Sequence, residues 1–167
     1  MRIIIVGDGK VGNTFAQQLS KAGHDVTIID KRATALQHTS DALDIMTVEG
    51  NGTTIATLRE AGVEQCDLLI AATNADEQNL LTCLIAKRAG AQHTIARVRS
   101  PEYAREISLI QSDLGLSLVV NPELSCAREM ARVLRFPSAA KIDTFSGGRM
   151  ELLKHQLTDN SPLAGVR

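Results

Sequence analysis

A chain of 167 residues that is 44% hydrophobic can build one core and the beginning of a second. Its net charge of −1, one Tyr, three Phe and no Trp argue against a broad phosphate-binding face or a base-stacking platform, so nucleic acid is not the expected partner. Cys66, Cys83 and Cys126 are odd in number and far apart, with no C-x-x-C, which argues against a disulfide framework or a zinc site. Met1-Arg2 leads straight into apolar residues without a signal peptide, and no apolar run reaches the ~20 residues of a membrane span. A soluble, cytosolic protein is expected.

Ile3–Val6 is an apolar run without alternation, the pattern of a strand buried on both faces in a parallel sheet. It breaks into Gly7-Asp8-Gly9-Lys10-Val11-Gly12, and an amphipathic segment follows, with Phe15, Ala16, Leu19 and Ala22 on one side and Gly23 as its stop. In a G-x-G-x-x-G turn of this kind the glycines serve a tight turn, close backbone approach to a pyrophosphate and close helix–strand packing, and the helix N-terminus supplies the anion site. A second apolar strand, Val26–Ile29, ends on Asp30, whose carboxylate can accept the two hydroxyls of an adenosine ribose. The complete unit predicts a nucleotide site. Lys31 and Arg32 read as the solvated start of a helix. They could also attract a 2′-phosphate, but Asp30 opposes one, which favours NAD or ATP over NADP.

A helix is expected around Thr34–His38 and a third strand over Leu43–Val48, followed by Glu49-Gly50-Asn51-Gly52. That turn falls at the carboxyl end of the strand, where Asn51 and Gly52 read equally as an ordinary N-G turn and as a ligand contact. Ile55, Leu58 and Ala61 give a short helix stopped by Gly62. Asp67–Ala72 is a fourth buried strand, and Thr73-Asn74-Ala75-Asp76-Glu77 reads as a capped helix start on the crevice side, with a second role toward nucleotide open. The next helix runs through Leu80, Leu81, Leu84, Ile85 and Ala89 to Gly90. In Thr94–Arg99, Arg97 and Arg99 share a parity with Ile95. That places the fifth strand near a sheet edge or a charged crevice, with Arg97 meeting an anion or carboxylate.

Ser100-Pro101-Glu102 opens another helix, Leu118–Val120 is a sixth strand, and Asn121-Pro122-Glu123 opens a helix that ends near Phe136-Pro137-Ser138. Lys141–Ser146 and Met150–Leu157 alternate like a hairpin joined at Gly147-Gly148. The turn-rich end from Thr158 predicts truncation at a domain boundary. The expected architecture is therefore α/β: a doubly wound, mainly parallel six-stranded sheet over residues 1–136, a connecting hairpin over 137–157, and the start of a second domain over 158–167.

Catalysis lacks a foothold. His24, His38, His93 and His155 are dispersed, and no hydrolase, zinc or P-loop motif occurs. The nucleotide domain uses nearly all the residues and leaves no room for substrate chemistry, which suggests sensing. A small NAD-dependent oxidoreductase, or a fragment of one, is the alternative. A redox-sensing repressor would need a DNA-binding element that is not found.

Met1–Gly12, Asp30, Glu49–Gly52, Leu58–Val63, Asp67–Asn79, Ile95–Arg99, Asn121–Glu123 and Phe145–Arg149 together closely resemble the N-terminal nucleotide-binding domain of Trk-type potassium-uptake regulators, the TrkA or RCK/KTN family. The resemblance covers residues 1 to about 140, and Asp159–Gly165 looks like the opening of the family's C-terminal ligand domain. It implies a Rossmann fold and a non-enzymatic regulatory subunit with NAD(H), or alternatively ATP/ADP, as gating ligand. It further implies a homodimer, then a homotetramer or ring, beneath a potassium-translocating membrane protein, at the inner face of the cell membrane. Carried over by position, Gly7, Gly9 and Gly12 hold the phosphates, Lys10 stands where relatives carry an Arg that reaches phosphate, and Asp30 holds the ribose. Thr73, with Asn74 and Asp76 of its loop, approaches the adenosine side, Arg97 meets phosphate or a neighbouring subunit, and Glu123 lies near nucleotide at the dimer contact; Asp8, Val11, Lys31, Asn51 and Gly52 are further cofactor-binding candidates. No metal site is expected.

Overall fold

Ile3, Ile4, Ile5 and Val6 are each at most 3% exposed, because the strand they form has helices on both faces. In the computed structural model, which describes residues 1–136, 139–145, 149–157 and 161, this strand is β1 (Arg2–Val6). It is followed by α1 (Lys10–Lys21), β2 (Asp25–Asp30), α2 (Ala33–Ala42), β3 (Met46–Glu49), α3 (Ile55–Glu60), a 3-10 turn (Val63–Gln65) and β4 (Leu68–Ala71). Then come α4 (Asp76–Ala89), β5 (His93–Arg97), α5 (Pro101–Ile110), β6 (Leu118–Val120), α6 (Pro122–Arg135), β7 (Ala139–Phe145) and β8 (Met150–His155).

Strands β1 to β6 form one all-parallel sheet in the order β3-β2-β1-β4-β5-β6. Chain order reverses between β1 and β4, and ligands of open α/β sheets bind outside the strand ends at such a switch point. Alternation along β1 divides the core. Ile3 and Ile5 join Ala16, Val26, Ile28 and Leu36 under α1 and α2, whereas Ile4 and Val6 join Leu58, Leu69, Cys83, Ala86 and Ile107 under α3, α4 and α5.

Two boundaries differ from expectation. The third strand begins at Met46, not Leu43, because the Leu43 amide closes α2 by donating to Thr39 O (2.9 Å), while Leu43 and Ile45 pack at the rim of the core. The fifth strand does not lie at an edge; it is paired on both sides, with β4 and β6, so the two arginines mark a crevice end rather than a sheet margin.

The chain divides into two compact units, Met1–Pro122 and Glu123–Arg167. The second holds nearly all of α6 and the antiparallel pair β7–β8, in which Phe145 pairs with Met150. α6 buries none of its described residues and exposes Leu124, Met130, Val133 and Leu134. The expected Gly147-Gly148 connection and the expected second-domain start over 158–167, Ser161 apart, lie outside the described residues.

Candidate nucleotide site

Each glycine of the Gly7–Gly12 turn answers a different demand. Gly7 has φ +106°, and a Cβ there would sit 2.9 Å from the Thr73 amide nitrogen, so the loop and the end of β4 touch through backbone. At Gly12 a Cβ would lie 1.8 Å from Gly7 O. Gly9 is different: its backbone is extended, and a Cβ would meet nothing within 4 Å. No atom of the folded chain requires glycine at that position.

Gly9 also caps α1, whose first turn carries no acid and no side-chain cap. The first intrahelical bond is Asn13 N to Gly9 O (2.9 Å), so the amides of Lys10, Val11 and Gly12 have no acceptor within the helix and point their partial positive charge out of its end. Lys10, the first residue of α1, is exposed, as is Lys31 after β2.

The Asp8 side chain turns inward. Its Oδ2 accepts from Thr39 Oγ1 (2.6 Å) and its Oδ1 from Asn13 Nδ2 (3.1 Å), while Asn13 Nδ2 also donates to Thr39 (2.8 Å) and Gln17 Nε2 donates to Asn13 Oδ1 (2.8 Å). The carboxylate is 7% exposed and ties the loop to α1 and α2.

Asp30 ends β2 beside the loop. Its Oδ2 accepts the Asp8 amide (2.7 Å) and Arg32 Nη2 (3.3 Å), and its Oδ1 accepts the Arg32 amide (2.9 Å) and Nε (3.0 Å). Burial pulls the carboxyl pKa upward, but the Arg32 guanidinium and the two amides outweigh it and hold the group below its ordinary value of 3.8. Arg32 opens α2 as its exposed N-cap residue, as expected, and its guanidinium in addition folds back onto Asp30 and reaches Asp8 O (3.1 Å).

The loop after β3 is held by its own side chains. Asn51 Oδ1 accepts from the Thr53 amide (3.2 Å) and hydroxyl (2.9 Å), and a Cβ on buried Gly52 would fall 2.2 Å from Val6 Cγ1. Gly52 is thus required by packing against β1.

After β4 the same inward turn recurs. Asn79, fully buried on α4, accepts the Thr73 amide (2.9 Å) and hydroxyl (2.7 Å) on Oδ1, and its Nδ2 donates to Thr73 O (3.2 Å) and Arg97 O (2.8 Å). Asp76 Oδ2 accepts the amides of Arg99 (2.9 Å) and Ser100 (2.8 Å), and Oδ1 lies 3.8 Å from Arg99 Nε. The acids expected in the first turn of α4, Asp76 and Glu77, are there, but side-chain capping is corrected: the N-cap is Ala75, which makes no side-chain bond, and Thr73 and Asp76 instead pin the ends of β4 and β5 together. Arg97 is half-buried and donates to Thr73 O (3.3 Å), and Arg99 reaches the carbonyl of exposed Asn74. Glu123 lies in the first turn of α6, in the second unit. Among the described residues no group of three or more His, Cys, Asp or Glu could hold a metal ion.

The sequence singled out the glycines and Asp30, set Arg32 beside the ribose and included Asn79 in its motifs, but it did not reveal Arg32 as the partner of Asp30, Thr39 as the partner of Asp8 or Asn79 as the partner of Thr73. For Asn79 a signal existed: it shares the apolar face of α4 with Thr82, Cys83 and Ala86, where an amide needs partners.

A parallel sheet in this strand order, with a glycine turn at the switch point and an acid ending β2, defines a doubly wound Rossmann domain of the dinucleotide-binding type. Residues 3–122 match the family model described as the TrkA-N domain, and the chain belongs to that family. The Trk system potassium uptake protein TrkA homolog of Archaeoglobus fulgidus is 40% identical over 165 residues, covering 99% of this chain and 37% of that protein. The homolog of the same description from Methanothermobacter thermautotrophicus is 33% identical, over 100% of this chain and 75% of that protein. The chain thus spans just over a third of the first relative and three quarters of the second. Among solved structures, the GsuK channel bound to NAD matches with TM-score 0.66 at 20% identity, over 87% of this chain and 25% of that one. GsuK bound to ADP matches with TM-score 0.66 at 23%, over 81% and 34%. Those two likenesses are of fold.

Proposed function

We propose that this chain is the nucleotide-sensing part of a regulatory subunit of a Trk-type potassium uptake system, binding NAD(H), or ATP/ADP, at the β1–β4 junction without turnover. The observation that carries the reading is the empty space at Gly9, set between the α1 N-terminus and Asp30. The backbone of Gly7–Gly12, with Lys10 and Val11, would take the phosphates. Asp30 would take the adenosine ribose, with Lys31 at its edge, and Asn74 and Arg97 would border the far side. Asp8, Asn51, Gly52, Thr73 and Asp76 would serve the ligand by holding these loops in place, and Glu123 from α6 is carried as a contact near nucleotide. The names of the relatives support the potassium-uptake assignment, and GsuK, whose fold is shared, is described as bound to NAD and to ADP.

In this reading the chain works in the cytoplasm, in a homodimer that builds a tetramer or ring against a potassium-translocating membrane protein. No described helix is long and apolar enough to cross a membrane. Regulation requires that the nucleotide bind two assembly states with different affinity; tight binding alone would shift nothing.

Calorimetric titration with NAD, NADH, ATP and ADP tests the reading, with Gly9→Val as control. Saturable binding of at least one nucleotide is expected, abolished by Gly9→Val while the thermal midpoint stays unchanged. If none of the four binds to the unaltered chain, the reading fails.

A further inference from the structure

The Asp30 carboxylate is saturated by the protein itself. An ionised carboxylate offers about four lone-pair positions. All four are taken: by the amides of Asp8 and Arg32, and by Nε and Nη2 of the Arg32 guanidinium. The two amide donors are fixed by the loop and by the start of α2. The two guanidinium donors sit on a side chain that is 62% exposed, against 12% for Asp30. The same Nη2 reaches the Asp8 carbonyl, so the guanidinium bridges from the end of β2 to the glycine turn.

We propose that Arg32 is an internal competitor for the ribose subsite, and that nucleotides with a free 2′,3′-diol bind by displacing its guanidinium from Asp30. The inference rests on the nucleotide reading given above. Withdrawal of the guanidinium frees two acceptor positions while both amides stay in place, and two is the number of donors that a ribose 2′,3′-diol presents. The guanidinium end of the pair is exposed and screened by solvent, so the net cost of releasing it from Asp30 is modest. Arg32 therefore tunes affinity for the diol without blocking the site, and it does so selectively. A ligand that lacks the diol has no reason to move it.

Affinities of ADP and of 2′,3′-dideoxy-ADP are measured by calorimetry for the unaltered chain, Arg32→Ala, Arg32→Lys and Asp30→Ala, with thermal midpoints recorded for each. Taking the ratio of the two ligands cancels the general loss of positive charge near the phosphates. Arg32→Ala should raise the preference for ADP over its dideoxy analogue by about two- to fivefold, the factor that corresponds to an ion pair with one solvent-exposed partner. Arg32→Lys, which keeps the charge without the planar fork, should fall between. Asp30→Ala should remove the preference. An unchanged or reduced preference in Arg32→Ala, with Asp30→Ala still removing it, overturns the competitor role alone. A preference that survives Asp30→Ala, or an unaltered chain that binds neither ligand, overturns the assignment of the ribose subsite and the competitor with it.

Discussion

The Gly7–Gly12 turn and the Thr73–Asp76 loop lie side by side at the β1–β4 junction, and both are rich in groups that chemistry could use. In the first, the polar side chain, Asp8, is drawn under the loop, and what faces outward is bare backbone with open space at Gly9. In the second, Thr73, Asp76 and Asn79 bind one another or the backbone of residues 97–100. One loop is kept in shape with its amides facing outward; the other is a clasp that ties two strand ends together. The difference teaches that a polar residue at a crevice is not a ligand by virtue of its type. Buried polar groups must first be satisfied from within, and only what remains is offered to a ligand.

Substitutions can break this contrast. The largest effect is expected from Asn79→Ala, which removes the acceptor of the Thr73 amide and hydroxyl and a donor to each of Thr73 O and Arg97 O, and opens a cavity. A loss of about 3–4 kcal/mol in urea unfolding is expected, and a loss below about 1 kcal/mol would show that the clasp is dispensable. Next comes Gly12→Ala, whose Cβ would lie 1.8 Å from Gly7 O. Overpacking of this kind should cost about 2–3 kcal/mol and should abolish nucleotide binding. Thr39→Val keeps the shape and removes the donor to Asp8 Oδ2. It should cost about 1–2 kcal/mol and slacken the glycine turn, seen as faster amide exchange at Gly9 and Lys10.

The smallest effect is electrostatic. Because the folded-state pKa of Asp30 lies below its ordinary value of 3.8, its stabilisation is present above that value and is lost as pH falls through the lowered pKa. The difference in stability between the unaltered chain and Asp30→Asn should be flat at neutral pH and should close in the acid range. A difference that persists unchanged at the acid end would assign the effect to something other than the charge.

Much of the fold was legible. Uninterrupted apolar runs marked the buried strands, the 3.6-residue period marked α1 and α4, and the glycine turn followed by an acid implied the strand order around β1. What could not be read were partnerships between residues distant in sequence. Thr39 sits 31 residues from Asp8, and nothing local to either announces the other. Arg32 was legible as a helix start, which it is, but not as a group whose guanidinium is held by a carboxylate two residues back. Leu43 and Ile45 alternate like a strand, yet they belong to the segment that closes α2, since short apolar alternation does not separate a strand from a core-facing turn.

The bond between Asp8 and Thr39 bears on transplantation. A designer who grafts Gly7–Gly12 onto another parallel sheet moves a buried carboxylate but leaves its hydroxyl donor behind on a helix that the motif does not include. The hexapeptide would arrive carrying a charge with nowhere to settle, and the new host would expel it or distort the turn to wet it. A portable unit must extend through Thr39, which makes the transferable module a β–α–β–α segment and not a fingerprint.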